Sequence, residues 1–288
     1  MAWSPSARAP SCDGELTVAR RVAVVTGAAG GLGARIAADL EQAGFDVVAT
    51  DVAAGSGSVR ELDVRDAAAC RRLASEVSPD VWVNCAGVLG AGDAATQDDA
   101  LIEHVVAVNL LGVMHGTRAA VESMRARGGP GHVISIASLA SWVPVPGECV
   151  YAATKAGVLS FSLGLHSELR AQGVTDIEVS VVCPDGMLTP MISSVIDDPA
   201  IALTFTGPRL TTVEEVSARV LRLIDRPRLI ASVPRWRGAQ VRVLGAVPDL
   251  GMRALPLFRR MGLAQQRAVR ERLARSQPVP GQPKRPET

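Results

Sequence analysis

The sequence is poor in aromatic residues and has little net charge. Among 288 residues, aromatic side chains make up 3%, and the formal net charge at pH 7 is +1. Because hydrophobic residues still account for 48% of the chain, the core must be aliphatic, as is typical of parallel strands covered by helices. The near-neutral charge argues against a nucleic-acid partner, and we expect none.

The sequence also lacks the features of secreted, metal-binding and membrane-spanning chains. Its five cysteines have no CxxC spacing, so neither a disulfide framework nor a zinc site is predicted, and we expect no bound metal. The first residues contain no apolar stretch of signal-peptide length, and no run of about 18 apolar residues occurs. We therefore expect a soluble, cytoplasmic protein.

Short β-branched runs alternate with longer helical stretches. The predicted strands lie at 22–27, 46–51, 81–87, 132–138, 178–184 and 228–234. The predicted helices lie around 32–43, 66–77, 98–127, 150–171 and 211–225. This alternation predicts an α/β fold with a Rossmann-type, doubly wound parallel sheet. Ligands bind such sheets at the carboxyl ends of the strands, so those ends are the places to look for a site.

A single catalytic domain is predicted for residues 19–250. Residues 1–18 are rich in Pro, Ser and Ala, and we expect a loose, disordered leader there. Residues 251–288 carry nine Lys and Arg against two Glu, whereas the preceding part is acidic overall. After Ser276 this tail becomes Pro-rich, which predicts disorder. Pro256 is predicted to break or start a helix.

Two interpretations of the basic tail are open. A basic amphipathic helix can lie on an anionic membrane surface, and the protein would then contact the membrane peripherally. Equally, the tail can cover the acidic body of the protein or a neighbouring subunit, and this is the interpretation that we favour.

The stretch "TGAAGGLG" follows the first predicted strand and opens the first helix. Gly27 allows a sharp turn, Gly31 allows a pyrophosphate to approach the backbone, and Gly33 allows the helix to pack closely on the strand. The helix N-terminus then presents free N–H groups to phosphates. The position between strand and helix favours a nucleotide-binding role over an ordinary turn.

Asp51 ends the second predicted strand, 18 residues after Gly33. A carboxylate there can accept hydrogen bonds from both ribose hydroxyls of NAD, and it repels the 2′-phosphate of NADP. Neither Ala28 nor Val52 offers the positive charge that NADP needs. The alternative is an Asp that merely starts a loop. We therefore expect NAD, with NADP less favoured.

The stretch "YAATK" contains the single tyrosine of the chain and one of its two lysines. Tyr151 and Lys155 are four residues apart, so they share one face of the predicted helix. An ammonium near a phenol favours the phenolate. We expect Lys155, helped by the positive nicotinamide of NAD+, to lower the pKa of Tyr151, so that the pair acts as an acid–base catalyst. Ser138, at the end of the fourth predicted strand, can place a hydroxyl beside the same substrate oxygen, although Ser135 and Ser141 compete for that role.

Over residues 20–250 the chain resembles the short-chain dehydrogenase/reductase family. "TGAAGGLG" matches the TGxxxGxG cofactor loop of that family, and "NCAG" at 84–87 resembles its NNAG element, with Cys85 in place of the second Asn. Further positions match the catalytic Asn, the catalytic Ser and YxxxK, and an acidic residue that caps the adenine: Asn109, Ser138, Tyr151, Lys155 and Asp63.

The resemblance implies a role for each catalytic position. Tyr151 would be the general acid and base, and Ser138 would orient and polarise the substrate oxygen. Lys155 would bind the nicotinamide ribose and tune Tyr151, while Asn109 and a water would connect Lys155 to solvent. The implied cofactor-binding residues are Thr26, Gly27, Gly31, Leu32, Gly33, Asp51, Asp63, Val64, Asn84, Ala86, Gly87, Tyr151, Lys155, Pro184, Gly186 and Thr189.

One position departs from the family pattern. The PGxxxT element beside the nicotinamide is here "PDGMLT" at 184–189, so that Asp185 replaces the glycine. Asp tolerates left-handed backbone better than most residues, and the turn can survive. The acid could equally shift the nicotinamide or touch the substrate, and these alternatives are open.

The segment after Thr189 lies where the family places its substrate lid, and it is apolar, as is "LASWVPVPG" at 139–147. A lipophilic secondary alcohol or ketone is one interpretation, and ordinary packing of the lid on the core is the other. We expect an NAD-dependent oxidoreductase of the 1.1.1 type, with a catalytically idle, NAD-sensing protein as the alternative. The resemblance further implies a homodimer or homotetramer packed through the helices at 98–127 and 150–171.

Overall fold

A computed structural model describes residues 20–53 and 58–276. The predicted leader at 1–18 and the Pro-rich end of the tail lie outside the described residues. The strands are β1 (Val22–Thr26), β2 (Asp46–Asp51), β3 (Arg60–Glu61), β4 (Val81–Asn84), β5 (Gly131–Ile136), β6 (Ile177–Pro184) and β7 (Ile230–Val233). They form a seven-stranded sheet in the order β3-β2-β1-β4-β5-β6-β7, and the neighbouring strands pair in parallel.

Helices cover both faces of this sheet. They are α1 (Gly31–Gln42), α2 (Ala67–Val77), α3 (Asp99–Val106), α4 (Gly112–Arg127), α5 (Cys149–Ala171), α6 (Pro190–Ser193), α7 (Val213–Asp225), α8 (Arg235–Ala246) and α9 (Pro248–Ser276). A π-helical turn, Ala107–Leu111, joins α3 to α4, and two 3-10 segments occupy Leu139–Ser141 and Pro199–Phe205. The predicted Rossmann-type architecture is confirmed.

Strand order places the site between β1 and β4. From β1 the chain moves outward to β2 and β3, and it then crosses back to β4 on the other side of β1. The connections from β1 and β4 therefore diverge at this point, which leaves a crevice above the carboxyl ends of the two strands. Thr26 and Asn84 are the last residues of these strands, so the glycine loop and the "NCAG" segment meet there.

The core is aliphatic, as the composition predicts. One layer joins α1 and α7 to the sheet through fully buried side chains such as Ile36, Leu40 and Val220. The opposite layer joins α2 and α4 to the sheet around Trp82, which is also fully buried. The stretch Asp99–Arg127 is long and apolar enough to cross a membrane by length and composition. Core helices of globular proteins meet the same test, and this stretch packs against α2, β4 and β5.

Two further helices follow β7: α8, which the sequence did not predict, and α9, which lies where the tail was interpreted as an amphipathic helix. Helix α9 continues through Pro256, so the prediction that this proline breaks or starts a helix is wrong. A proline inside a helix costs roughly 3 kcal/mol through a lost hydrogen bond and a steric clash. The packing of α9 on the 3-10 segment Pro199–Phe205 and on α8 supplies the tertiary contacts that offset this cost.

Candidate active site

The glycine loop after β1 is locked to the segment after β4. The hydroxyl of Thr26 accepts hydrogen bonds from the N–H groups of Cys85 (3.0 Å) and Ala86 (3.1 Å). Gly27 has a φ of +70°, and a Cβ there would lie 2.7 Å from the Cα of Ala86. A Cβ at Gly33 would collide with the carbonyl oxygen of Gly27. Only glycine fits at both positions, because one needs left-handed backbone and the other needs close contact between helix and loop.

The N-terminus of α1 is suited to bind an anion. Its N-cap residue is Gly30, and no side chain caps the first turn. The first N–H groups of this 12-residue helix therefore have no intrahelical partner, and they face the large cavity that Gly30, Gly31 and Leu32 help to line. The positive end of the helix dipole adds to their attraction for phosphate. These residues fit the pyrophosphate of a dinucleotide.

Asp51 lies beside this loop at the end of β2. One carboxylate oxygen accepts a hydrogen bond from the N–H of Ala29 (3.0 Å), and the other accepts one from the N–H of Ala53 (3.1 Å). Both bonds fix the carboxylate at the wall of the cavity. Each oxygen keeps acceptor capacity for a further donor, so the carboxylate can receive ribose hydroxyls.

Asp63 and Val64 line the same cavity, further from the glycine loop. The carboxylate of Asp63 forms an ion pair with Arg65 at 2.6 Å, and the hydrogen bonds from Arg65 hold the pKa of Asp63 below its usual value. Arg65 also lines the cavity, and the sequence analysis missed it because an arginine in a loop carries no motif. It is a cationic side chain near the region expected for the adenine half of the cofactor.

Asn84 has a supporting position rather than a place on the cavity wall. Its side-chain oxygen accepts a hydrogen bond from the indole of Trp82 (2.8 Å), and its amide donates to the hydroxyls of Thr117 (2.9 Å) and Ser135 (3.3 Å). All four groups are buried. This network ties β4 to β5 and α4, so Asn84 fixes the frame on which Ala86 and Gly87 reach the cavity.

Asn109 lies in the π-helical turn and is fully buried. Its side-chain oxygen accepts from the N–H of Val88, and its amide donates to the carbonyl of the same residue, both at 2.8 Å. A Cβ at Gly87 would lie 3.3 Å from the side-chain oxygen of Asn109 and 3.6 Å from Nζ of Lys155. Asn109 therefore meets Lys155 across Gly87, at a type of helical irregularity that is frequent at functional sites.

Ser138, Tyr151 and Lys155 come together at the floor of the cavity, which all three line. The hydroxyl of Ser138 lies close enough to the phenol of Tyr151 to favour its ionised form, which opposes the rise in its pKa. The ammonium of Lys155 donates to the carbonyl of Ile136 at 2.9 Å and lies 5.6 Å from the centre of the Tyr151 ring. Ser138 thus occupies the position next to Tyr151, whereas the hydroxyl of Ser141 donates to the carbonyl of Lys155 instead.

Burial controls the proton affinities of this cluster. It raises the pKa of Tyr151 well above its ordinary value, and the nearby carboxylate of Glu148 adds to the rise. It also lowers the pKa of Lys155 to about 8. The predicted lowering of the pKa of Tyr151 includes the positive nicotinamide of NAD+, so it stays a prediction. Among the protein groups alone, desolvation of the phenolate has the largest effect on this pKa.

The family model described as short chain dehydrogenase matches residues 21–200. The chain belongs to this family. It is 36% identical over 190 residues to 1-deoxy-11-beta-hydroxypentalenate dehydrogenase of Streptomyces avermitilis, a match that covers 59% of this chain and 69% of that one. The matched region spans 31% of the length of several mycobacterial relatives named probable oxidoreductase EphD.

Solved structures agree with the fold of this short-chain dehydrogenase. A family member from Burkholderia phymatum in complex with NAD aligns with a TM-score of 0.71 at 22% identity, covering 81% of this chain and 95% of that chain. A single-residue variant of actinorhodin polyketide ketoreductase with NADPH aligns with a TM-score of 0.65 at 30% identity, covering 74% and 95%. These two solved structures contain nicotinamide cofactors, NAD in the first and NADPH in the second.

Asp185, the departure from the family pattern, lines the cavity and forms a buried ion pair with α8. Its carboxylate pairs with the guanidinium of Arg237 in α8 at 3.0 Å, and both side chains are largely buried. Arg237 also donates to the hydroxyl of Thr206 (2.6 Å) and to the side chain of Gln240 (2.7 Å). Among the residues described, Ser78 is the single non-glycine with positive φ, so position 185 does not need left-handed backbone. Asp185 therefore anchors α8 beside the cofactor loop.

The outer wall of the cavity comes from three separate segments. Pro184, Gly186 and Thr189 line it after β6. The segment that follows adds apolar side chains, as do α8 and the first turns of α9. These apolar wall residues are Met191, Ile192, Leu203, Val241, Leu244, Met252, Leu255 and Phe258. Residues that we had assigned to a tail outside the family core therefore form part of the site.

Helix α9 clamps the segment 194–206 from outside. A Cβ at Gly262 would collide with the carbonyl oxygen of Ala202, so helix and lid touch backbone to backbone. The amide of Gln266 donates to the carbonyls of Ile196 (2.9 Å) and Asp198 (2.7 Å). This described part of the tail covers the body of its own subunit, which is one of the interpretations left open by the sequence.

Glu148 is a buried acid that the sequence analysis missed. It is 3% exposed, lines the cavity and precedes Tyr151 by three residues. Its Oε1 accepts a hydrogen bond from the hydroxyl of Thr204 at 2.7 Å, and burial raises its pKa to about 7. The "ECVY" stretch gave no signal for this role, since the burial of Glu148 depends on a lid 56 residues away.

Proposed function

We propose that this short-chain dehydrogenase uses NAD(H) to interconvert lipophilic secondary alcohols and ketones. The observation that carries the proposal is the meeting of Ser138, Tyr151 and Lys155 at one cavity of about 510 Å³. The start of α1, with its free N–H groups, lines the same cavity, which suits the pyrophosphate of a dinucleotide.

The chemistry of the site is proton transfer at one oxygen. A bound nicotinamide cofactor supplies or accepts the hydride. In reduction, the hydroxyl of Tyr151 gives its proton to the carbonyl oxygen, and the hydroxyl of Ser138 donates a hydrogen bond to the same atom. The raised pKa of Tyr151 keeps the phenol protonated, which is the state that reduction needs. In oxidation, the positive charges of NAD+ and Lys155 favour the phenolate that takes the proton.

The apolar wall supports a lipophilic substrate. Side chains from the lid, α8 and α9 line the same cavity as Tyr151, and few of them are polar. A polar substrate would lose hydrogen bonds with water on entering such a wall, whereas an aliphatic or ring compound would gain from burial. A terpenoid, a steroid-like compound or a long-chain ketone fits this wall.

The preference for NAD rests on the carboxylate of Asp51. Two backbone N–H groups hold it at the end of β2, where the resemblance expects the adenosine ribose. A fixed negative charge favours two hydroxyl donors and disfavours a 2′-phosphate. Arg65 pairs with Asp63, which reduces its availability to a phosphate.

Steady-state kinetics on a panel of lipophilic secondary alcohols and ketones test the proposal. We expect turnover with NAD(H) by the unaltered protein and loss of at least about 99% of it in Tyr151→Phe, because the phenol is the acid and base. Cofactor binding, followed by NADH fluorescence, should persist in the variant. If neither protein turns over any compound while both bind NAD tightly, the alternative of an idle NAD-sensing protein is favoured.

We also propose that the protein is a cytoplasmic homodimer or homotetramer. The described cysteines at 70, 85, 149 and 183 are free, which suits a reducing compartment. The apolar side chain of Leu111, 43% exposed between α3 and α4, suits burial against a second copy through the helices at 98–127 and 150–171. A monomeric mass in light scattering would contradict the oligomer, and recovery from a membrane or secreted fraction would contradict the location.

Peripheral contact with anionic membranes through α9 is a separate proposal. The outer face of α9 exposes Leu257 and Met261 together with Arg253 and Arg260, a combination that suits an anionic lipid surface. Flotation with vesicles of phosphatidylglycerol should carry the protein in low salt. Reversal of charge at both arginines should abolish flotation, whereas a protein that never floats contradicts the proposal.

A further inference from the structure

Glu148 occupies the N-cap position of α5 but does not cap the helix. A carboxylate at this position normally accepts hydrogen bonds from the N–H groups of the first turn. The side chain instead turns to the lid, where Oε1 accepts from the hydroxyl of Thr204. Among the described residues, the second oxygen, Oε2, has no hydrogen-bond partner, and the residue lines the cavity. The acid therefore offers one oxygen to whatever enters.

The position of Glu148 is fixed from both sides. Gly147, the preceding residue, has a φ of +91°, and a Cβ there would collide with the carbonyl oxygen of Ala200 in the lid. The N–H of Gly92 donates to the carbonyl of Gly147 at 2.8 Å. Helix α5 begins directly after Glu148, so its backbone is fixed on that side as well. A carboxyl group held in this way is preorganised for a ligand.

Glu148 is the N-cap residue of α5, and Tyr151 lies three residues later in the first turn. Both line the cavity, and the carboxylate of Glu148 helps to raise the pKa of Tyr151, so a substrate oxygen bound at the phenol lies in the cavity that Glu148 also borders. Because no described protein group donates to Oε2 and Glu148 lines the cavity, a hydroxyl group of the substrate could donate a hydrogen bond to this oxygen.

We propose that Glu148 binds a second hydroxyl group of the substrate, attached one or two carbon atoms from the carbon that exchanges the hydride. The proposal rests on the proposed function and narrows its substrate class to lipophilic hydroxyketones and the corresponding diols. A carboxyl group suits this partner in either protonation state, because a hydroxyl both donates and accepts. Glu148 is thus a specificity-determining residue, beside Tyr151, which moves the proton.

The test compares three ketones of equal chain length in the presence of NADH: decan-2-one, 3-hydroxydecan-2-one and 4-hydroxydecan-2-one. We expect the unaltered protein to favour at least one hydroxyketone over the plain ketone by about tenfold in kcat/KM, the effect of one hydrogen bond to a buried acid. In Glu148→Leu this ratio should fall to about one, and in Glu148→Gln an intermediate ratio should remain, because the amide still accepts and donates.

Two control variants distinguish binding of the substrate hydroxyl by Glu148 from a purely structural contact of Glu148 with the lid. Thr204→Val removes the hydrogen bond to Oε1 but keeps the carboxyl group, so the selectivity ratio should survive. If Glu148 only tied α5 to the lid, Thr204→Val and Glu148→Leu would instead slow all three ketones alike. Glu41→Leu, at an exposed position in α1 that does not line the cavity, should change neither the rates nor the ratio.

A failure of this inference about Glu148 can be distinguished from a failure of the proposed activity. If the unaltered protein reduces none of the three ketones, the proposed activity fails on this panel. Calorimetric titration of the Tyr151→Phe protein with NADH bound then gives the same comparison as dissociation constants, without turnover. Equal values of kcat/KM or of Kd for plain and hydroxylated ketones, or a preference that survives in Glu148→Leu, would overturn the inference.

Discussion

The guanidinium Nε of Arg237 lies 3.0 Å from a carboxylate oxygen of Asp185, and the two side chains are only 8% and 13% exposed. The pair joins the end of β6, which borders the cavity, to the first turn of α8. Breaking a buried pair by removing one partner leaves a charge without compensation, which typically costs about 3–5 kcal/mol.

We therefore expect Arg237→Leu to lower the free energy of unfolding by about 3 kcal/mol in urea denaturation. Asp185→Gly, which restores the family residue, should destabilise the protein as well, because Arg237 is then unpaired. The double variant should be more stable than the sum of the two single effects implies. Arg270→Leu is the matched control, since its pair with Asp197 is exposed and should contribute less than about 1 kcal/mol. Additive effects would show that the pair is not coupled.

The second prediction concerns the contact of α9 with the lid. Replacing an exposed helical glycine by alanine normally stabilises a helix by about 1 kcal/mol. Gly164→Ala in α5 should do so, because a Cβ at Gly164 meets nothing within 4 Å. Gly262→Ala should instead destabilise the protein by about 1–3 kcal/mol and raise KM for the ketone, since its Cβ would collide with Ala202. The affinity for NADH is the control and should not change. Equal effects of the two variants on stability would contradict a close contact between α9 and the lid.

The third prediction concerns the choice of cofactor. Asp51→Ala should lower kcat/KM for NAD+ by about 10- to 100-fold, because hydrogen bonds to a charged acceptor contribute roughly 1.5–3 kcal/mol each. It should also raise kcat/KM for NADP+ by removing the repulsion of the 2′-phosphate. Asp46→Ala is the matched control, since Asp46 is exposed at the opposite end of the same strand. A protein that prefers NADP+ before any change would refute the assignment.

The fourth prediction is a pH dependence of stability that comes from Glu148. Its pKa is raised from 4.5 to about 7 in the folded protein, mainly by burial. Between these values the unfolded chain has lost the proton and the folded chain still holds it. The stabilisation is therefore complete below pH 4.5 and is lost as the pH rises through about 7, by roughly 3 kcal/mol in total.

Unfolding curves of the unaltered protein and of Glu148→Gln, taken at pH 4.5 and pH 8, test this dependence. The difference in free energy between the two proteins isolates Glu148. Burial lowers the pKa of His132 to about 3, and this group acts in the opposite direction, stabilising the protein as the pH rises towards 6.5, but it is common to both proteins. A difference that does not change with pH would show that Glu148 is not shielded in solution.

Much of the fold was predictable because its signals are local. The alternation of β-branched runs with helical stretches gave six of the strands, since each is a continuous apolar segment between turns. Strand β3 was missed because Arg60–Glu61 is short, charged and exposed. Helix α9 was not predicted as one element, because Pro256 opposes it locally and only packing on the lid stabilises it.

In the candidate site, too, residues with a local sequence signal were predicted and residues that depend on distant contacts were missed. Ser138, Tyr151 and Lys155 were found from a motif and from helical spacing, and the structure brings them together at the cavity. The functional reading of these positions stays a prediction until the variants are measured. Glu148 and Arg237 were missed because neither belongs to a sequence pattern. Their burial depends on partners that lie 56 and 52 residues away, so it appears only in the folded chain.

The clamp of α9 on the lid has a consequence for how this protein could diverge. The groups that transfer the proton lie on elements that end by residue 171, whereas much of the apolar wall comes from residues 241–258. Changes in residues 241–258 can therefore reshape the range of accepted molecules without disturbing the reaction itself. Exchange of this last helix between related chains is accordingly a direct route to new selectivity, and natural variants should differ in it before they differ in chemistry.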